Sequence, residues 1–476
     1  MADAAVVGSG PNGLAAGVKL AQAGVSTVIY ESSETIGGGT RSKELTLPGF
    51  IHDVCSAVHP LAVASPFFQS LPLAKHGLNW IKPNIQLANP LGDGTCAVVY
   101  ESLEKTAAGL ENARDKERYS DLLAEHVRYS REMLYNFLGP LPRIPKRPLE
   151  LLSFLARAAV PVYSFASSTF KGRDIHALLG GLAAHSMLRL TEPLTNGFAI
   201  VMLILAHAVG WPFPQGGSQR IADALASHFR SLGGEIITGF QVKSSRNLPR
   251  ARATLFDLTP RQILRIFGGT AFPKWYAKSL QSFSYGPGVF KLDYALSEPI
   301  PWKSEECRSA GTVHVCGDLK DIVLSEQSVW EGIEPVRPFV IVAQQSLFDR
   351  SRAPDAKQTA WAYCHVPSGS PVDMRNRIEN QIERFAPGFR KTILAVHSFK
   401  PDELEQYNAN YVGGDINGGV QNIWQTISRP TLSICPYRTP LKGIYLCSSS
   451  TPPGGGVHGM CGYYAAKASI SKEFSQ

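Results

Sequence analysis

Two unbroken apolar runs flanking a helix-period stretch open the chain. Ala4-Ala5-Val6-Val7 reads as a strand buried on both faces, Leu14 to Ala23 as a helix with Ala16 and Leu20 as packing positions, and Ser26 to Tyr30 as a second strand. That order is a βαβ unit, whose strands must run parallel. Farther on, Val289 to Tyr294 and Pro338 to Ala343 read as strands. Gly443 to Cys447 reads as a buried strand, and Tyr463 to Ile470 as a helix-forming run. The apolar run Phe198 to Val209 is too short to span a bilayer and is expected to be a buried helix lining a cavity. No apolar window of about 20 residues is free of breaks, so no transmembrane helix is expected. The first strand starts within three residues and has no basic segment before it, so no signal peptide and a cytoplasmic location are expected.

Between the first strand and the helix stands Gly8-Ser9-Gly10-Pro11-Asn12-Gly13. Each glycine has a mechanical reason: Gly8 turns the chain, Gly10 lets backbone approach a pyrophosphate, and Gly13 lets helix pack on strand. The helix start around Pro11 and Asn12 presents N–H groups and partial positive charge to phosphate. With 43 glycines in the chain such a spacing alone is weak evidence, but here strand, helix, second strand and an acid fall in register. Glu31, 18 residues after Gly13, is placed to take the hydroxyls of an adenosine ribose and to repel a 2′-phosphate.

A second glycine cluster, Gly37-Gly38-Gly39-Thr40-Arg41, follows the acid, and a third, Gly454-Gly455-Gly456-Val457-His458-Gly459, leads into the C-terminal helix. These motifs, with Leu47 to Pro60, Gly216 to Leu225 and Gly233 to Val242, resemble FAD enzymes of the phytoene desaturase and amine oxidase superfamily. The pattern is most like the bacterial phytoene dehydrogenase-like branch, related to pyridine nucleotide-disulphide oxidoreductase domain-containing proteins and, more distantly, to retinol saturase. The resemblance covers nearly the whole chain. Gly39 stands where relatives often carry Arg, and Arg41 comes two positions later. The resemblance implies an FAD site built from Gly8, Gly10, Pro11, Asn12, Gly13, Glu31, Gly38, Thr40, Arg41, Ser56, Val242, Gly456, Val457, His458 and Gly459. It implies an α/β fold: a Rossmann-like FAD-binding domain assembled discontinuously from 1–60, 214–262 and 430–476. A helical substrate or cap region, 61–213, and a mixed-sheet substrate domain, 263–429, would complete it. No separate NAD(P)H domain is expected.

Composition modifies this picture in two places. The eight cysteines show neither C-x-x-C nor zinc spacing, so they are expected to be reduced packing residues, and the disulphide reductases are disfavoured. The net charge of +8 is partly concentrated in 141–173, where Arg143, Lys146, Arg147, Arg157, Lys171 and Arg173 alternate with leucines and aromatics. Two readings stand there: contact with an anionic bilayer, or the solvated basic face of an ordinary helical domain. No nucleic-acid motif is present, so no nucleic-acid partner is expected.

The catalytic candidates, by their place near a flavin in the relatives, are Asp53, His59 and His458. The flavin carries the redox chemistry, and the protein adds position, water exclusion and an acid or base. The implied function is dehydrogenation or saturation of a hydrophobic molecule, such as an isoprenoid or acyl chain, by hydride transfer with flavin N5. Two alternatives stay open, a flavin-binding scaffold without turnover and an amine oxidase-type enzyme.

Overall fold

The computed structural model describes residues 2–141 and 143–475; residue 142, in the basic stretch, lies outside them. The strand Ala4–Val7 sits in the middle of a five-stranded sheet in the order Ile444–Leu446, Ala253–Phe256, Ala4–Val7, Thr27–Tyr30, Glu235–Ile237. Every pairing is parallel. The two central strands Ala253–Phe256 and Ala4–Val7 are wholly buried, as continuous apolar runs in a parallel sheet covered on both faces should be. The edge strand Glu235–Ile237 is short and half exposed. This is the expected Rossmann-like sheet.

The helix Pro11–Gln22 is packed from two directions through glycines. A Cβ on Gly17 would meet Ile29 Cδ1 at 2.6 Å and Phe229 of the helix Gln219–Ser231 at 3.2 Å. A Cβ on Gly462, in the C-terminal helix Met460–Ser469, would lie 1.8 Å from Asn12 O. The last helix thus lies directly against the backbone of the first, which brings residues 448–459 beside the glycine turn.

A second, seven-stranded sheet has the order Ile393–Phe399, Gly288–Leu296, Gln358–Val366, Val340–Ala343, Ala310–Val315, Ile85–Pro90, Cys96–Tyr100. Only the pairing of Ala310–Val315 with Ile85–Pro90 is parallel. The region 61–213 is therefore not helical throughout: it gives this sheet two strands, and its long helical part starts at Leu103. Ile85–Pro90 is buried at every position, so it lacks the polar alternation that marks a strand in sequence. One face of the sheet packs an apolar core of Phe290, Leu292, Val340, Val342, Ala360 and Ala362. The opposite face looks toward the glycine turn.

All eight cysteines are free. Among the described residues no single helix is long and apolar enough to cross a membrane.

Because backbone, not a pliable side chain, meets position 462, Gly462→Ala should force the first and last helices apart. The expected loss is about 1–3 kcal/mol, the usual range for overpacking, measured as a lower denaturant midpoint with an unchanged slope.

Candidate active site

The glycine turn has no room for side chains. Gly8 has φ +101°, a Cβ on Gly10 would lie 2.7 Å from Asp257 Oδ2, and one on Gly13 would lie 2.0 Å from Gly8 O. The helix beginning at Pro11 has no side-chain cap of its own. Instead Gly13 N donates to Asp257 Oδ2 at 2.9 Å, so a buried acid at the end of strand Ala253–Phe256 sits where the helix is most positive. Burial lifts Asp257 to about 7; the Gly13 N–H opposes the rise and the nearby Glu31 adds to it.

Glu31 is buried beside the turn. Its Oε2 accepts from Ser9 N at 2.9 Å and Ser9 Oγ at 2.6 Å, and its Oε1 from Ser33 N at 2.9 Å and Arg41 Nη2 at 3.2 Å. Arg41 also donates through Nε to Thr35 O at 2.9 Å. Gly38 brings the second glycine cluster onto the first, since a Cβ there would stand 3.1 Å from Gly10 Cα. A Cβ on Gly39 would lie 2.2 Å from Tyr411 Oη, a steric reason for glycine where relatives often carry Arg. Thr40 Oγ1 and Ser56 Oγ close this cradle onto Gly37 O and Gly39 O, each at 2.8 Å.

A cavity of about 480 Å³ runs from Glu31 and the turn, past Ser56 to Leu61 and the third glycine cluster, to the turn-facing side of the second sheet. Gly8, Gly10, Pro11, Asn12, Glu31, Gly38, Thr40, Arg41, Ser56, His59, Gly456 and Val457 line it. Met202 does so too, the one contribution of the apolar run Phe198 to Val209. Five expected site residues do not. Gly13 serves the packing just described. Gly459, with φ +68°, lets the C-terminal helix start against Phe68 and Ala15. Val242 lies past the strand Glu235–Ile237 and packs with Val7 and Phe256, while Gln241 reaches the cavity.

The other two are catalytic candidates that the structure uses as braces. Asp53 is fully buried, bonded to Ser42 Oγ at 2.7 Å and Ser218 N at 2.8 Å, and paired with Arg352 at 2.7 Å. Burial favours its neutral form, but Arg352 and these hydrogen bonds overcome that and hold its pKa below the usual carboxylate value. His458 accepts from Met460 N at Nδ1, 3.0 Å away, and donates from Nε2 to Gly454 O at 3.2 Å, so both nitrogens are committed. His59 differs. Ser218 Oγ donates to Ser56 O at 2.7 Å, so His59 Nε2, 2.8 Å from that oxygen, must be the donor. Its Nδ1 is then a bare acceptor, buried without a partner, and burial keeps the ring neutral with a pKa of about 4.

Sequence reasoning missed Asp257, whose only signal is a lone acid ending an apolar strand. It also missed the buried pair Lys291 and Asp293 on the second sheet, with Lys291 Nζ 5.7 Å from the Trp361 ring. Burial pushes Lys291 down and Asp293 up, to about 6, and their contact holds each back toward its charged form.

Residues 6–71 match the NAD(P)-binding Rossmann-like domain. The chain is 25% identical to pyridine nucleotide-disulfide oxidoreductase domain-containing protein 2 of Rattus norvegicus, over 98% of this chain and 92% of that one. It is 24% identical to the lycopene-forming phytoene desaturase of Pseudescherichia vulneris, over 98% of both chains. Its fold matches a putrescine oxidase with a TM-score of 0.63 at 15% identity, covering 99% of each chain. The chain has the relatives and the fold of an oxidoreductase. The expected likeness to phytoene desaturases in sequence and to amine oxidases in fold agrees with these matches.

Asp257 makes stability depend on pH. Its folded pKa is raised above the unfolded value, so its contribution is full below about pH 4 and lost as pH rises through about 7. Asp257→Asn should therefore gain at least about 1.4 kcal/mol over the parent at pH 8, one pKa unit's worth, and lose that advantage near pH 4, as read by urea unfolding at both values.

Proposed function

We propose that the chain is an FAD-dependent oxidoreductase that desaturates or saturates a largely apolar molecule, such as an isoprenoid or acyl chain, by hydride transfer with flavin N5. The observation that carries this reading is the continuity of one cavity from Glu31 and the glycine turn to a wall of Trp211, Ile341, Ala343, Trp361 and Tyr363. A dinucleotide cradle at one end and an apolar enclosure at the other suit a redox cofactor serving a water-excluded substrate.

The residues fit the cofactor. Gly8, Gly10 and Gly38 leave the cradle without side chains, and Asn12 Oδ1, His59 Nδ1 and Thr259 Oγ1 are buried polar atoms awaiting partners. Glu31 would hold the adenosine ribose, whose hydroxyls would replace those of Ser9 and of Ser32, which donates to Glu31 Oε1 at 3.3 Å. The start of helix Pro11–Gln22 would hold the pyrophosphate, with Asp257, whose pKa burial raises, beside it. FAD, when bound, supplies the atom that accepts or gives a hydride. The chain's own part is to hold the substrate still, keep water out through the aromatic wall, and offer His59 Nδ1 as a neutral acceptor. The fold of putrescine oxidase supports an amine oxidase reading less well here. Among the described residues the acids lining the cavity, Glu31 and Asp257, are both at the glycine-turn end, away from the wall.

The partner surface we propose is an anionic bilayer met by the described residues of 141–173. Ile144, Leu149 and Leu152 are 89%, 77% and 64% exposed, and Leu141, Leu155 and Tyr163 are exposed as well. Leu149, Leu152 and Leu155 share one side of the helix Pro148–Ala158, while Phe154 and Ala158 face inward against Gly197. A bend of 99° leads into the next helix, Val162–Thr169. Exposed Lys146 and Arg147 flank the leucines, the pairing of apolar and basic groups that interfacial helices use. Gly197 belongs to the helix Thr195–Ala208, which carries Met202 into the cavity, so this surface backs onto the substrate chamber.

Protein refolded with excess FAD should become yellow, and Glu31→Gln should weaken FAD by about tenfold, the worth of one charge-assisted hydrogen bond. A colourless protein, or unchanged affinity in the variant, contradicts the cofactor reading. Flavin that binds but is reduced by no isoprenoid or acyl probe under anaerobic conditions favours the scaffold. Sedimentation with phosphatidylserine vesicles should carry the protein down at low salt and release it as salt rises. Replacing Leu149, Leu152 and Leu155 together by Ser should abolish co-sedimentation without changing flavin content.

A further inference from the structure

The cavity ends on one face of the second sheet, and strand alternation decides its chemistry. Thr312 lies opposite Ala343, and Ala343 opposite Trp361, so the three form one row of side chains toward the cavity. Thr312 Oγ1 and Trp361 Nε1 are buried and have no hydrogen-bond partner in the chain. His185 reaches the same wall from the end of the helix Arg173–Ala184, with its ring 5.8 Å from that of Trp211. Its Nε2 is 3.0 Å from Nε2 of His314, a neighbour of Thr312 on the same strand and face.

Burial pushes both rings down, His185 to about 3, so both are neutral. One Nε2 then donates to the other. His314 Nδ1 is turned to helix Arg173–Ala184, where a Cβ on Gly181 would meet it at 2.6 Å. That leaves Nδ1 of His185 as the uncommitted polar atom of a ring that lines the cavity.

We propose that this wall is an anchor for a neutral oxygen function, a hydroxyl or carbonyl, on an otherwise apolar substrate, taken by Thr312 Oγ1, Trp361 Nε1 and His185 Nδ1. The proposal rests on the apolar-substrate reading above and narrows it. A pure hydrocarbon would leave the two orphaned atoms buried and unpaired, which is costly. An ammonium group would find no free carboxylate here: among the described residues the acids lining the cavity, Glu31 and Asp257, are at the glycine-turn end, and Asp293 behind Trp361 is paired with Lys291. A carboxylate would find no cation, since Arg41, the cationic side chain lining the cavity among the described residues, is paired with Glu31. Neutral donors and acceptors in an apolar wall select a neutral oxygen.

Three probes of one skeleton test this: farnesol, farnesene and farnesylamine, measured by equilibrium dialysis against flavin-loaded and flavin-free protein. Farnesol should bind at least about tenfold tighter than farnesene, because a site built to hydrogen-bond rejects the analogue lacking the group. Thr312→Val and Trp361→Phe should each shrink that ratio by weakening farnesol more than farnesene, and Thr312→Ser should keep it. Equal binding of farnesol and farnesene, tightest binding of farnesylamine, or a full preference retained in both variants overturns the anchor. Failure of all three probes to bind a flavin-loaded protein overturns the apolar-substrate reading with it. A protein that takes no FAD yet prefers farnesol keeps the anchor and loses the cofactor.

Discussion

Everything at this site depends on backbone approaching backbone at the start of the first helix. Gly13 lies against Gly8 O, Gly462 against Asn12 O, and Gly38 against Gly10 Cα, so three distant parts of the chain meet with no side chain between them. Glycine is the residue that permits this. The contacts place a helix N-terminus, two further glycine clusters and a buried acid around one point. The seven-stranded sheet then closes the far end of the same cavity.

A second constraint fixes the two sheets relative to each other near that point. Asp53 is tied to Ser42 and Ser218 on the nucleotide side and to Arg352 on the other, and Arg352 Nε also donates to Ile51 O at 3.1 Å. A buried ion pair of this kind is a weak source of stability, but losing one partner is severe, because the other charge is left unpaired. Its role here is to hold Ser56 to Leu61 in place between cofactor cradle and substrate wall.

The glycine framework was legible in the sequence because its logic is local: a turn, a helix start and an acid at fixed spacing. Long-range partners were not legible. Asp53 and His458 read as chemistry because they sit near the flavin segment by analogy, yet Arg352, Ser218 and Gly454 claim their polar atoms. Asp257 was invisible because its meaning comes from Gly13, 244 residues away. The strand Ile85–Pro90 was hidden by its complete burial, and the sheet wall by the need to know which strands neighbour each other.

The central claim is that one continuous cavity holds FAD at the glycine turn and its substrate against the second sheet. A crystal structure of the FAD-reconstituted protein tests it most directly. The account predicts pyrophosphate density at the start of helix Pro11–Gln22, the ribose on Glu31, and the flavin ring between Ser56 to Leu61 and the wall bearing Trp361 and Tyr363. A ring directed away from that wall, or a nucleotide bound elsewhere, would contradict it.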